Sequence, residues 1–380
     1  MDLSAAAVNL LDMARGGVAD LRRMPRDTID DGPCGTLHRY RPVEGVTPAG
    51  GEPVLLVPPL GAPDFAYDLR RGCSLVEHLV TTGHPVYLVD HGPKSFADRR
   101  LGMEHWVEDV VPWAARLTAD DAGPDVHLLG WSLAGIFCSL AVAGAVDAAH
   151  PLPVRTLTMI GSPVDISAVP FVAPLRPLAA VAGGRALASV YRAIGSIPAP
   201  MVSAAFQLAA VDRLVTKPLT VMSRLDDRDL LAQIEAVDDL MANMHGYPGR
   251  VFGQLYHLML RGNDLADGTL ALAGRTIPLS AIDRPVLVVA GAQRRDRPAQ
   301  RRAEGRGAAH RRARGPLRDG PRRAPRRAHR PGRPHVDVVG ARRVPRRPRV
   351  GPRPGPPQRR QTADVTRFAV QRLRGVPIAD

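Results

Sequence analysis

Lysine is nearly missing from this 380-residue chain: of 51 basic residues only Lys94 and Lys217 are lysines. So strong a preference for arginine points to GC-rich coding DNA. Cysteine is scarce too. Cys34, Cys73 and Cys138 fall in no CxxC spacing and near no histidine cluster. That argues against a disulfide framework and against a zinc or other metal site, and makes a reducing, cytoplasmic setting the expectation. Met1-Asp2-Leu3-Ser4 has no basic region leading into an apolar core, so no signal peptide is read there. The apolar stretch Val169 to Ala210 is broken by Pro174, Arg176, Pro177, Arg185 and Arg192, too interrupted for a membrane span. Aromatics make up 4% of the chain, and residues 293–380 hold only Phe368. A segment so poor in rings has little with which to stack bases, and no specific nucleic acid is expected as a partner.

What is present is unevenly spread. The chain is long enough for one large α/β domain with insertions, or for two domains, and its 45% apolar content is that of a globular protein. The net charge of +14 comes from one end. Residues 293–380 hold 27 arginines and six acids, which leaves 24 basic and 31 acidic residues before them. The first 292 residues therefore read as a mildly acidic globular protein, and the rest as an Arg/Pro-rich tail.

In chain order, residues 2–25 read as a helix and 26–52 as loop, a first unit of residues 1–52. Val54–Val57 and Pro85–Asp90 are apolar throughout and predict buried strands. Ser74 to Thr82 predicts a helix with a serine cap, and Glu104 to Thr118 an amphipathic helix. Val126–Gly130, Val154–Gly161 and Pro285–Ala290 are further strands. Apolar strands alternating with helices predict a mostly parallel central sheet covered on both faces, with reactive groups at the carboxyl ends of its strands. The core spans 53–165. A long helical stretch, strongest over 166–250, reads as a cap insertion with its return over 166–283, or as a separate helical domain. Its apolar residues Leu175, Leu178, Val181 and Leu187 suit core packing or an acyl pocket. The last recognisable core strand lies in 284–292.

The chain is organised around Val126-His127-Leu128-Leu129-Gly130-Trp131-Ser132-Leu133-Ala134-Gly135. An apolar strand ends in Gly-x-Ser and a helical stretch, Ile136 to Val146, follows. This is the pattern of a sharp strand–turn–helix elbow with a nucleophile at its apex; a Gly-x-Ser arising by chance in a Gly- and Ala-rich chain is the alternative. Small residues must surround such a turn. Gly130 is one, and Ala134 stands where the pattern usually has glycine. Ser132 is then the candidate nucleophile, needing a base and a carboxylate to orient that base. Two backbone N–H groups must meet the developing oxyanion, and Leu133 and Leu60 are the candidates. In this fold order the acid and histidine follow the strand after the cap, and there the sequence dissolves into Arg, Pro, Gly and Ala.

Residues 53–292 resemble the polyhydroxyalkanoate synthases, most closely the type that works with a second subunit. The landmarks run in order: Val57-Pro58-Pro59; Asp68-Leu69-Arg70 with Ser74-Leu75-Val76; Gly83 to Asp90; Ala97-Asp98-Arg99 with Leu101; Leu128-Leu129-Gly130; and Ser162-Pro163-Val164-Asp165. Lys217-Pro218-Leu219, Phe252, Gln254, Asn263-Asp264-Leu265, Gly268, Gly274-Arg275, Leu279, Ile282 and Pro285-Val286-Leu287 continue them. The resemblance implies an α/β-hydrolase fold. It also implies transfer of a hydroxyacyl group from coenzyme A to a polyester through a covalent acyl-enzyme, with the coenzyme A thioester as substrate and no resident cofactor. That family uses cysteine where this chain has Ser132. A thioester passes its acyl group downhill to a hydroxyl; a serine ester is nearly level with the product, so hydrolysis competes better. Cys138, further along the same helix, reads as a buried structural thiol. His91 and Asp90 at a strand end lie within reach of the site, and His91 reads as a packing or loop residue.

The tail has two readings. Out-of-frame GC-rich DNA reads as Arg, Pro, Gly and Ala. Read one base later, Gln293 to Ala299 can encode Asn-Asp-Gly-Ile-Ala-Pro-Pro, similar to the family's acid turn. In the same offset Arg322 to Arg330 can encode Gly-Gly-His-Leu-Gly-Val-Leu-Thr-Gly, similar to its histidine loop, and Arg333 to Val338 can encode Gly-Arg-Thr-Trp-Thr-Trp. Alternatively the tail is genuine and disordered, and a non-enzymatic protein uses it to bind a polyanion or a polyester granule. On either reading of the tail the chain as written offers no well-placed acid and base, and it is expected to be inactive or nearly so and poorly folded past Gly291.

Overall fold

The computed structural model describes residues 2–45, 51–146, 151–165, 196–209 and 211–290. The stripe Leu175, Leu178, Val181 and Leu187 and the tail 293–380 lie outside them.

Helix α1 (Leu3–Arg15) starts at Asp2, whose carboxylate accepts from the Ser4 and Ala5 N–H groups. It stops at Gly16, where φ is 138°, ten residues short of the helix read from the sequence. The Gly16-Gly17 pair ends it, because glycine takes that conformation freely. The segment read as loop is a hairpin, β1 (Arg26–Gly32) and β2 (Gly35–Tyr40). Its Asp and Gly residues belong to a half-exposed edge strand and a turn.

Five parallel strands follow: β3 (Val54–Val57), β4 (Val86–Asp90), β5 (Val126–Trp131), β6 (Val154–Ile160) and β11 (Val286–Val289). With the hairpin they make a seven-stranded sheet in the order β1-β2-β4-β3-β5-β6-β11, with β2 antiparallel to β4. Alternate residues face opposite sides. Leu55, Val57, Tyr87, Val89 and Leu128 pack with α3 (Val111–Ala122) and α4 (Leu133–Gly144), where Trp106 stacks on Phe137 at 5.9 Å. Val54, Leu56, Val86, Leu88 and Leu129 pack on the other face with α2 (Leu75–Thr81). The helix expected from Glu104 opens as a π-turn, His105–Val110, before the regular α3, which carries proline in its first turn and ends at Ala122.

Between β6 and β11 the described chain is mostly helical: α5 (Ala199–Ala209), α6 (Val211–Ser223), α7 (Arg228–Ala242) and α8 (Gly249–Gln254). A two-residue strand β7 (Ser196–Ile197) pairs with β8 (Tyr247–Pro248) and closes this excursion at its base. The return carries a hairpin, β9 (Thr269–Leu272) and β10 (Arg275–Pro278).

Several sequence landmarks are structural. Asp68 is buried and accepts from Met24 N at 2.5 Å and from Ser74 Oγ at 2.5 Å, tying the N-terminal segment to α2. Arg70 reaches Asp229 Oδ1 at 2.7 Å and Gln233 Oε1 at 3.2 Å on α7, so it joins core to cap. Gln254 Oε1 accepts from Met103 N at 2.6 Å. Lys217 pairs with Asp238.

Candidate active site

Ser132 stands at the turn between β5 and α4 with φ 54° and ψ −123°. A residue bearing a Cβ takes such a backbone at a cost of about 1–3 kcal/mol, so the surroundings must enforce it. Two glycines let the turn close. A methyl carbon on Gly130 would lie 2.6 Å from the Gly135 nitrogen and 2.7 Å from its Cα. One on Gly135 would run into Ser162 Oγ and lie 3.1 Å from the Gly130 carbonyl oxygen. Ala134, where the common pattern has glycine, is fully buried. The close approach of helix to strand falls one residue later, on Gly135.

The N–H groups around the turn can be accounted for one by one. Ser132 N–H donates to Ile160 O at 2.7 Å, toward β6. Trp131 N–H faces the Tyr67 hydroxyl on the β3 side, and that hydroxyl donates to Val57 O at 2.8 Å. Tyr67 thus takes up the carbonyl at the end of β3, at the last β3–β5 pair, Val57–Gly130. Leu133 opens helix α4, where an N–H has no partner within the helix. On the β3 side, Pro58 and Pro59 have no N–H. Gly61 N–H faces the Tyr247 hydroxyl, and Ala62 N–H donates to Pro59 O at 2.8 Å. Leu60 is left with an N–H that no acceptor among the described residues takes. Because β3 and β5 are neighbours in register, the Leu60 turn and the Ser132 turn leave the sheet side by side.

The cap grips the Leu60 turn. His245 N–H donates to Gly61 O at 2.7 Å, and Tyr247 lies so close that a Cβ on Gly61 would sit 2.7 Å from its ring. Burial pushes the Tyr247 hydroxyl up to about 12, against the opposing effect of the Gly61 amide. Leu240 and Met241 of α7 pack with Ala62, Ala66 and Trp131. Ser162 Oγ and His245 Nδ1 are buried beside this region with no hydrogen-bond partner among the described residues.

Sequence reading missed Tyr67 and Tyr247. Each acts on backbone far along the chain and leaves no local periodicity to find. Tyr67→Phe orphans the buried Val57 carbonyl, and stability is expected to fall by about 1–3 kcal/mol, readable as a lower urea midpoint at pH 7.

His91 is a packing residue, as read from the sequence. It is 3% exposed, its Nε2 is 2.9 Å from Pro58 O, and its ring stands edge-on to Trp106 at 6.4 Å. Burial lowers its pKa to about 4, although the Pro58 carbonyl pulls the other way. The unfolded chain therefore binds a proton that the folded chain does not, between the ordinary histidine value and pH 4. Stability is lost as pH falls through that window. Comparing urea unfolding of the wild type and His91→Gln at pH 7 and pH 5 should show a shallower loss in the variant. Asp90 accepts from Gly92 N at 2.8 Å and serves its own loop. Cys138 is fully buried on α4 and its thiol is pushed up by burial.

The acid and base expected after β11 fall beyond the described residues. Among the described residues no cluster of three or more His, Cys, Asp or Glu side chains is placed to hold a metal, and no helix is long and apolar enough to cross a membrane.

No protein-family model matches the chain. It is similar to the poly(3-hydroxyalkanoate) polymerase subunit PhaC of Allochromatium vinosum, 26% identical over 253 residues, which is 66% of this chain and 68% of that one. The protein of the same name from Synechocystis is 26% identical over 261 residues, 66% of this chain and 65% of its own. That of Haloferax mediterranei is 23% identical and is covered over 47% of its length. Among solved structures, a carboxylesterase of Nitrososphaera gargenis aligns over 71% of this chain and 80% of its own, with TM-score 0.37 and 16% identity. VinJ aligns over 73% and 85%, with TM-score 0.35 and 15% identity.

Proposed function

From a chain of the polyhydroxyalkanoate synthase family, built on the α/β-hydrolase fold, we infer an enzyme that takes a hydroxyacyl group from a coenzyme A thioester or related ester onto Ser132. The observation that carries this is the backbone of Ser132 itself. It is held left-handed at the apex of the β5–α4 turn, with its own N–H spent on Ile160. Leu133 and Leu60 supply the two N–H groups for the oxyanion. Such donors, fixed before the reaction, stabilise charge as it develops on the carbonyl oxygen. The hydroxyl needs a base to take its proton, and we place that base and its carboxylate in the frame-shifted coding of the tail.

A serine ester holds the acyl group at nearly the level of an ordinary ester. Water therefore competes with a polymer hydroxyl, and release of the free acid dominates chain growth. The test is incubation of hydroxyacyl-coenzyme A with protein from the frame-corrected gene, following thiol release, free acid and polymer. Thiol release that disappears in Ser132→Ala, with free acid exceeding polymer, is expected. Thiol release unchanged in Ser132→Ala would overturn the assignment. A second subunit is the partner that the resemblance suggests, and co-purification with a coexpressed neighbouring gene product tests it. The arginine-rich tail carries the second reading, a polyanion-binding protein: salt-dependent retention on DNA that vanishes without residues 293–380 would favour it.

A further inference from the structure

A depression of about 740 Å³ lies between the turn Phe96–Arg100, helix α8 with the π-turn that follows it, and strand β9. Its lining divides in two. Arg99, Arg100 and Arg250 give it a cationic side, and Leu258 and Leu272 an apolar one. The volume falls in the range of small-molecule sites, about 300–1,000 Å³.

The charges are out of balance. Arg250 pairs with Glu104, and its Nη1 also donates to the Arg100 carbonyl at 3.4 Å. The second oxygen of Glu104 is taken by Gln254 Nε2 at 2.8 Å. Asp98, on the same turn, accepts from Ser95 N and Oγ. Arg99 lies over the Phe96 ring at 4.4 Å and donates to the Phe96 carbonyl, which fixes its plane. Neither Arg99 nor Arg100 has a carboxylate partner among the described residues. Gathering guanidinium groups without counter-charge raises the potential of a concave surface and attracts anions. Their planar, forked donors match phosphate oxygens two at a time.

We propose that this depression binds a phosphate ester, the anion against Arg99, Arg100 and Arg250 and the organic body against Leu258 and Leu272. Two sources share that chemistry: the nucleotide end of the acyl carrier, which rests on the function proposed above, and a free nucleotide.

Calorimetric titration of the full chain at 150 mM salt tests the site with three probes: adenosine 3′,5′-bisphosphate, ATP and inorganic pyrophosphate. Saturable binding of one nucleotide per chain, tighter than pyrophosphate, is expected. The bisphosphate binding more tightly than ATP identifies the acyl carrier as the source, and the reverse order a free nucleotide. Arg100→Gln, which breaks no ion pair, should weaken binding by about tenfold and Arg99→Ala/Arg100→Ala by about a hundredfold, with unchanged melting temperatures. The arginine-rich tail is present in every variant. If the double variant binds as well as the wild type, or pyrophosphate binds as tightly as the nucleotides, the proposal is overturned. Binding is also measured on Ser132→Ala and needs no turnover. A failure here leaves the acyl-transfer reading standing, and a failure there leaves this one.

Discussion

Removing one base near codon 292 of the gene is expected to raise ester hydrolysis by the purified product about 10⁴–10⁶-fold, the usual cost of lacking the base and acid of a serine triad. The structural ground is that the described strands ahead of that point form the complete parallel run up to β11. Strand β11 pairs with β6 in register from Val286–Leu157 to Val289–Ile160, and Gly161 N–H closes on Val289 O at 2.8 Å. In this topology the acid leaves the sheet at the end of that strand. Here it is followed by Gln293-Arg294-Arg295-Asp296, for which codons exist that give Asn-Asp-Gly-Ile when read one base later. With A as the third base of the Ala324 codon, the same offset brings in a histidine further on. Sequencing codons 285–340 checks the premise: the third bases of the Arg294 and Ala324 codons should be A, where GC-rich coding favours G or C. Short-chain acyl esters then measure the rate. G or C at both positions and no open frame after the deletion would return the tail to the status of a real, basic segment.

The second large effect is on folding. Gly130→Ala places a methyl carbon 2.6–2.8 Å from three backbone atoms of Ala134 and Gly135. Backbone inside a buried helix start does not rotate aside as a side chain does, so β5 and α4 must separate. Overpacking of this kind with backbone displacement costs about 3–5 kcal/mol, a large share of the stability of an ordinary domain. Loss of soluble yield or a strongly lowered urea midpoint is expected. Gly32→Ala is the control: the nearest atom to its new methyl is Asp30 Oδ2 at 3.6 Å, and its midpoint should hardly move. Equal behaviour of the two variants would mean that the elbow is not packed as described.

The parallel core was legible because its signal is local. Val54–Val57 and Val86–Val89 are apolar on both faces, and Val126–Leu129 is so but for His127, as a sheet covered on both sides requires. Ser132 was legible because its turn admits little beyond the small residues around it. The hairpin of β1 and β2 was not. An edge strand such as Arg26-Asp27-Thr28-Ile29-Asp30-Asp31 is half-exposed and carries the same residues as a loop. The end of α1 was marked in plain view by Gly16-Gly17, and the helix read as far as residue 25 runs past that break. Tyr67, Tyr247 and His245 escaped notice for another reason. Their partners are main-chain groups on other elements, and no spacing along the chain encodes such a bond. The landmark residues Asp68, Arg70 and Gln254 carried the resemblance correctly, yet the structure gives them bracing duties and no chemistry.

The pairing of Ser196–Ile197 with Tyr247–Pro248 has an evolutionary reading. It makes the intervening chain a loop closed at its own neck. Lengthening such a loop costs about 0.6 kcal/mol per doubling, and the strands of the core do not feel the change. Helices between the two short strands can then change in length as a unit, provided that the face of α7 that meets Arg70, Ala62 and Trp131 is kept. The neck itself is under a different constraint, because His245 and Tyr247 hold the Gly61 turn. Transplanting a different helical cap should therefore succeed when the graft points lie inside the neck, after Ile197 and before His245, and should unsettle the Leu60 turn when they lie outside it.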